Sequence, residues 1–124
     1  MDIVLADREA EIMEVLWDFG PSTVTEVKDR VPDDLAYTTV LTILRNLEAK
    51  GFVTHDPEGK AHRYSAVIER DAARRSALRA MADKFFKGST ALLLNHLVAD
   101  EKLKPEDIKR LRAALTQRGR KGRT

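Results

Sequence analysis

The order of elements along the first two-thirds of the chain constrains the fold most: three helical stretches, then at once a single hairpin. From about Asp7 to Phe19, at about 100° per residue, Asp7, Glu11, Glu14 and Asp18 fall on one narrow strip, and Ile12, Met13, Val15, Leu16, Trp17 and Phe19 cover most of the remainder. So wide an apolar face predicts burial on more than one side. Gly20-Pro21 ends this helix, and Thr23-Val24-Thr25-Glu26 has capping-box spacing that opens a short helix to about Val31. Pro32-Asp33-Asp34 breaks it, and a third helix runs from about Tyr37 to Lys50, with Gly51 as a left-handed cap. Phe52–His55 and Ala61–Val67 then read as two strands around the turn chemistry of Asp56-Pro57-Glu58-Gly59-Lys60. Few other small folds put a lone hairpin after three helices. The order predicts a winged helix-turn-helix: mainly α, with a small β-hairpin wing.

Beyond Ile68 every signal is helical. Leu78, Met81, Ala82 and Phe85 recur at helical spacing within about Glu69–Lys87, and Gly88 ends the run. Thr90 to about Val98 is apolar almost all round, and Pro105 suits a first helical position before Ile108, Leu111 and Leu115. Three such helices make too small a core to stand alone, and with no cysteine in the chain no disulfide can staple them. A homodimer sharing one core answers the problem. The expected dimerisation residues are Leu78, Met81, Phe85, Leu92, Leu93, Leu97, Leu111 and Leu115, and the expected division is 1–68 for the winged helix and 69–124 for a three-helix dimerisation region. Charge separates along the same line: residues 1–70 are net −6 and residues 71–124 net +8. The run from Arg118 to Arg123 reads as a solvated basic tail.

Several function classes fall away. The absence of cysteine excludes thiolate zinc sites, iron–sulfur clusters and cysteine nucleophiles. The longest nearly apolar stretch, Ala91 to Val98, is far short of a membrane span, and the acidic start is unlike a signal peptide, which predicts a cytoplasmic chain with no membrane insertion. No nucleophile elbow or phosphate loop occurs, so no enzyme and no cofactor is expected. His55 and His62 lie on the two strands without a third ligand, which makes wing contacts, not a metal site, the expectation.

The third helix divides into two arcs. Thr38, Thr39, Thr42, Arg45, Asn46 and Ala49 share about 120° free of carboxylates, while Tyr37, Val40, Leu41, Ile43, Leu44 and Leu47 fill the opposite side and Glu48 sits at its edge. An ordinary solvated face favours Glu, Lys and Gln, so three threonines there are a poor choice for stability alone. They suit a major groove, where Arg pairs with guanine, Asn with adenine, and Thr offers hydroxyl or methyl. Thr39, Thr42, Arg45 and Asn46 are therefore expected to read bases of a DNA duplex, with Thr38, Lys60, His62 and Arg63 on the phosphate backbone. The net acidity of this half requires its carboxylates to lie on the first helix and the Pro32–Asp34 turn, away from the duplex. The alternative is a winged-helix protein–protein adaptor that does not bind DNA. A small-molecule sensor ranks lower, since no polar cluster anchors a ligand.

Leu5-Ala-Asp-Arg-Glu9, Ile12-Met13 and Leu16-Trp17, then Tyr37-Thr-Thr-Val-Leu-Thr42 and Lys50-Gly51-Phe52-Val53, then Gly59-Lys-Ala-His-Arg-Tyr64, together resemble the penicillinase repressor (BlaI/MecI) family from about Leu5 to Leu115. The resemblance implies a homodimeric bacterial repressor that binds an inverted repeat of TACA/TGTA type at β-lactamase or related promoters. It also implies release by C-terminal proteolysis, triggered by a membrane sensor with a metalloprotease domain. The family's scissile Asn-Phe pair falls on Asn95-His96, of which Asn95 matches and His96 does not. Copper-responsive relatives use C-terminal cysteines, and this chain has none.

Overall fold

A computed structural model describes residues 2–100, 104–110, 112 and 113. The chain forms two compact units, 1–78 and 79–124. In the first, helix α1 (Asp7–Phe19) is followed by a two-residue strand β1 (Ser22–Thr23), helices α2 (Val24–Arg30) and α3 (Tyr37–Ala49), a hairpin of β2 (Val53–Glu58) and β3 (Ala61–Ala66), and the start of helix α4 (Arg70–Phe85). This is the winged helix-turn-helix that the element order predicts.

Its core is where the wheels place it. Ile12, Met13 and Leu16 of α1, Val24 and Val27 of α2, and Val40, Leu44 and Leu47 of α3 meet Phe52, Val53 and Tyr64 of the wing. Glu26 takes the Thr23 amide at 2.9 Å while Thr23 Oγ1 accepts from the Glu26 amide at 3.2 Å, closing the expected capping box. At the end of α3, Gly51 at φ +83° lets the Phe52 amide reach the Leu47 carbonyl and its own amide the Glu48 carbonyl, both at 3.0 Å. Phe52 is thereby delivered into the core beside Leu47, and the wing's first strand gets its direction.

The sheet differs from a lone hairpin. It has three strands in the order β1-β3-β2, because the extended backbone that caps α2 runs on to pair Ser22 with Tyr64 and Thr23 with Arg63. The hairpin turn is also tighter than Asp56–Lys60. Asp56, Pro57 and Glu58 pair with Arg63, His62 and Ala61, leaving Gly59-Lys60 as a two-residue turn with Gly59 at φ +61°. Pro57 is tolerated because β2 is an edge strand and needs no outward donor. Phe19 and Tyr37 are exposed instead of buried; both sit at helix ends, where no further turn covers the ring. On one side of the Phe19 ring the Arg30 guanidinium lies 4.5 Å from its centroid.

Glu9 is the buried carboxylate of this unit. It accepts the Ala6 amide at 2.9 Å and both of its oxygens take Lys50 Nζ, at 2.9 and 2.8 Å, tying the start of α1 to the end of α3. Burial opposes its charge, but the Lys50 bond and the Ala6 amide outweigh that and hold the carboxyl below its usual value. A depressed carboxyl stabilises the fold above its unfolded-state value and loses that contribution as pH falls through the folded value. Glu9→Gln is accordingly expected to cost about 1–2 kcal/mol near neutral pH, from a weakened cap and an uncompensated lysine. Urea unfolding should show the gap between the two proteins closing as pH falls below the usual carboxylate range. A gap that is constant with pH would assign the loss to packing.

In the second unit, Ser89 caps helix α5 (Thr90–Ala99) by accepting the Leu92 amide at 3.1 Å. Leu93 is buried, and the Phe86 and His96 rings lie 5.3 Å apart. Residues 105–110 are helical, with the Lys104 amide bonded to the Asp107 carboxylate, so Pro105 occupies the first helical position as its spacing predicts. Leu111, Leu115 and the basic tail lie outside the described residues. Among the described residues no helix is long and apolar enough to cross a membrane.

Candidate nucleic-acid interface

The exposed arc of α3 is intact in three dimensions. Thr38, Thr39, Thr42, Arg45, Asn46 and Ala49 are all exposed, while Val40, Leu44 and Leu47 are fully buried behind them. The helix has no carboxylate in its first turn, and its N-cap residue, Ala36, supplies no side-chain acceptor, so the positive helix end is open beside Thr38. Thr42 Oγ1 donates to the Thr38 carbonyl at 2.9 Å, which commits its proton to the helix and leaves lone pairs and methyl outward. Among the described residues, Arg45 has no acidic partner within ion-pair distance.

The wing residues separate in role. Lys60 stands exposed at the hairpin turn, free of any ion pair to a described residue. Arg63 is half-buried and engaged: Nε donates to Glu58 at 2.7 Å, and Nη1 to the Pro21 carbonyl at 3.0 Å and Glu26 at 3.1 Å. The amide and hydroxyl of Thr23, with the Arg63 and Arg30 charges, hold Glu26 below the usual carboxylate value, which keeps this brace ionised. Arg63 thus fastens the wing to the start of α2.

His55 and His62 do meet, as a stacked pair with centroids 4.4 Å apart, since their register places them diagonally on one face of β2 and β3. The Glu48 carboxylate lies 2.6 Å from His55 Nδ1 and links α3 to the wing. Among the described residues no group of three or more potential ligands could hold a metal ion. The Glu48–His55 tie was not anticipated; its only trace in the sequence is a carboxylate at the core-side edge of α3, one turn before the strand.

Acidic residues are mostly neutralised locally. Arg8 pairs with Glu11 and Asp33, Lys28 with Asp34, and Arg70 with Glu14 and Asp18. Asp56 and Glu58 stand on β2, so the acid is not confined to α1 and the Pro32–Asp34 turn. The arc of α3 nevertheless carries none.

The expected dimerisation residues are mostly uncovered. Leu78, Met81 and Phe85 on α4, and Leu92 and Leu97 on α5, are exposed, whereas Leu93 is buried within the protomer. Asn95 and His96 are exposed in the middle of α5.

Comparison with known proteins bears on the family and the fold. A family model described as penicillinase repressor matches residues 5–117. The chain is 35% identical over 117 residues to the transcriptional regulator BlaI of Mycobacterium tuberculosis, covering 91% of this chain and 83% of that protein. It is 22% identical over 116 residues to the methicillin resistance regulatory protein MecI of Staphylococcus aureus, covering 92% and 94%. The structure of a MarR family protein from Bacillus stearothermophilus superposes with a TM-score of 0.53 at 17% identity, covering 98% of this chain and 78% of that one, a likeness of fold.

Proposed function

The chain belongs to the penicillinase repressor family, and on that premise we propose that it is a homodimeric bacterial transcriptional repressor whose two winged heads read an inverted-repeat operator of TACA/TGTA type in duplex DNA. It works by binding, not by catalysis, and acts in the cytoplasm on β-lactamase or related promoters. Residues 1–68 form the reading head, and residues from 69 onward the dimerisation region. The observation that carries this is the arc of α3: Thr39, Thr42, Arg45 and Asn46 exposed together, with a guanidinium that no described carboxylate neutralises. These four read base edges. Thr38, Lys60 and His62 meet phosphate, and Arg63 serves the backbone through its brace and its remaining donors.

Titration of labelled duplexes at several salt concentrations tests it. Binding should weaken steeply as salt rises. Lys60→Ala should weaken specific and random duplexes alike and lower the slope of log K against log salt by about one. No binding to any duplex at low salt would favour a protein–protein adaptor.

Release follows from cutting α5. Asn95-His96 lies within a helix of 10 residues, too short to be stable alone, so local opening exposes the bond to the metalloprotease of a membrane sensor. The cut would fall between Ala91 and Ala99. Mass spectrometry of the protein from β-lactam-treated cells should show the fragments. An intact chain recovered while target genes are induced would rule cleavage out.

A further inference from the structure

A chain of side chains leads from the end of α3 across the wing to solvent, all of it within the unit 1–78. Glu48, in the last turn of α3, holds its two carboxylate oxygens 2.8 and 2.6 Å from His55 Nδ1. An ionised carboxylate only accepts, so Nδ1 carries the proton and the His55 ring is fixed in tautomer and orientation. The His62 ring stacks on it, with centroids 4.4 Å apart and planes inclined by 15°. His62 is exposed, and its ring nitrogens have no hydrogen-bond partner among the described residues.

The charges around this stack are few. The Tyr64 ring lies 5.3 Å from His55; burial, and after it the Glu48 charge, push its phenol up, so it stays neutral where an imidazole titrates. Arg45 and Tyr37 are the other groups of α3 that act on Tyr64. Asp56, Glu58 and Arg63 alternate onto the opposite face of the hairpin, where Arg63 bonds Glu58 and Glu26. Lys60 stands at the turn.

We propose that Glu48 is a positioning residue for DNA binding: acting through His55, it holds the His62 imidazole ready for a backbone phosphate, in a contact that takes up a proton. The proposal rests on the DNA-binding reading above. Two stacked imidazoles repel if both are charged, and the single Glu48 carboxylate offsets one positive charge on the pair. A phosphate draws that charge to His62, the ring that reaches solvent, because a charged donor makes the stronger bond. The His55 platform spares His62 the cost of being ordered when DNA arrives.

The test is fluorescence anisotropy with labelled operator and random duplexes, at fixed salt from pH 6 to pH 8, on the full chain and its variants. Wild-type affinity for both duplexes should be about three- to tenfold higher at pH 6 than at pH 8, since a ring that is neutral when free and charged against phosphate takes up as much as one proton. His62→Gln should match wild type at pH 8 and lack the rise. Glu48→Ala should rise less than about twofold, with the ratio of operator to random affinity unchanged, and Glu48→Gln, which keeps an acceptor for the Nδ1 proton, should fall between. A wild-type profile that is flat, or that survives His62→Gln, overturns the proton-linked contact. A Glu48→Ala protein that keeps the full rise overturns the role of Glu48, as does one that loses the same factor at every pH, because that makes Glu48 a support of the fold. If Glu48→Ala does not fold, an intermediate profile for Glu48→Gln upholds the proposal and a wild-type one overturns it. Failure of the wild-type chain to bind any duplex at any pH overturns the DNA-binding reading itself.

Discussion

Aspartate at both Met81 and Phe85 is expected to leave a folded monomer that binds a two-half-site operator about 10²–10⁴-fold more weakly, the gain that bivalence commonly provides. Met81 is 45% and Phe85 69% exposed, and with Leu78 they recur at three and four residues along one face of α4. A face of large apolar side chains left exposed on a helix calls for a partner. Fully burying each such side chain is worth about 1.5–3 kcal/mol, and burying two unpaired carboxylates in its place reverses the sign. Both residues lie in the unit 79–124, whereas Arg45, Asn46 and Lys60 belong to 1–78, so affinity for a single half-site should not change. Light scattering and anisotropy on the same sample check both halves of the prediction. A double variant that stays dimeric would move the interface off α4, to the exposed Leu92, Leu97 and Val98 of α5.

The parts of this molecule that were legible in its sequence are those governed by short-range periodicity. Helix α1 occupies Asp7–Phe19 as its strip of carboxylates predicts, and the Thr23–Glu26 box caps α2. The arc of α3 is exposed residue for residue. What escaped depends on contacts between distant residues. Ser22–Thr23 has no strand signature of its own; it becomes a strand because β3 passes alongside. Asp56-Pro57-Glu58 has the composition of a loop, yet an edge position makes the proline harmless and extends the hairpin. Arg63 looks like any wing cation until Glu58 and Glu26 are found on it, and Arg70 like any surface arginine until Glu14 and Asp18 are. The net charge of −6 over residues 1–70 already includes the paired cations, so ion pairing leaves it unchanged; what favours DNA is where the acid lies, since the exposed arc of α3 carries no carboxylate.

Arg45, on that carboxylate-free arc, is the side chain on which base preference should turn. It is exposed on the arc, one residue from Asn46 and one helical turn from Thr42, and no described carboxylate holds it. A guanidinium in the major groove can donate two parallel bonds to guanine O6 and N7, and no other base pair edge offers that pair of acceptors. Arg45→Ala should then cost about 1–3 kcal/mol on the operator, about 5- to 150-fold in affinity. The loss should be concentrated at one base pair: operators altered there should bind the variant nearly as well as the unaltered site. Arg45→Lys should behave more like Ala than like Arg, because an ammonium cannot reproduce the planar fork. Thermal stability should stay within about 0.5 kcal/mol of wild type, since the side chain has no ion-pair partner to lose. Selection of bound sequences from a randomised operator library, run in parallel on wild type, Arg45→Ala and Asn46→Ala, reads these outcomes together. Equal loss on every sequence would make Arg45 a phosphate contact and shift base reading to Thr39, Thr42 and Asn46, which present hydroxyl, methyl and amide groups to the groove but no bidentate cation.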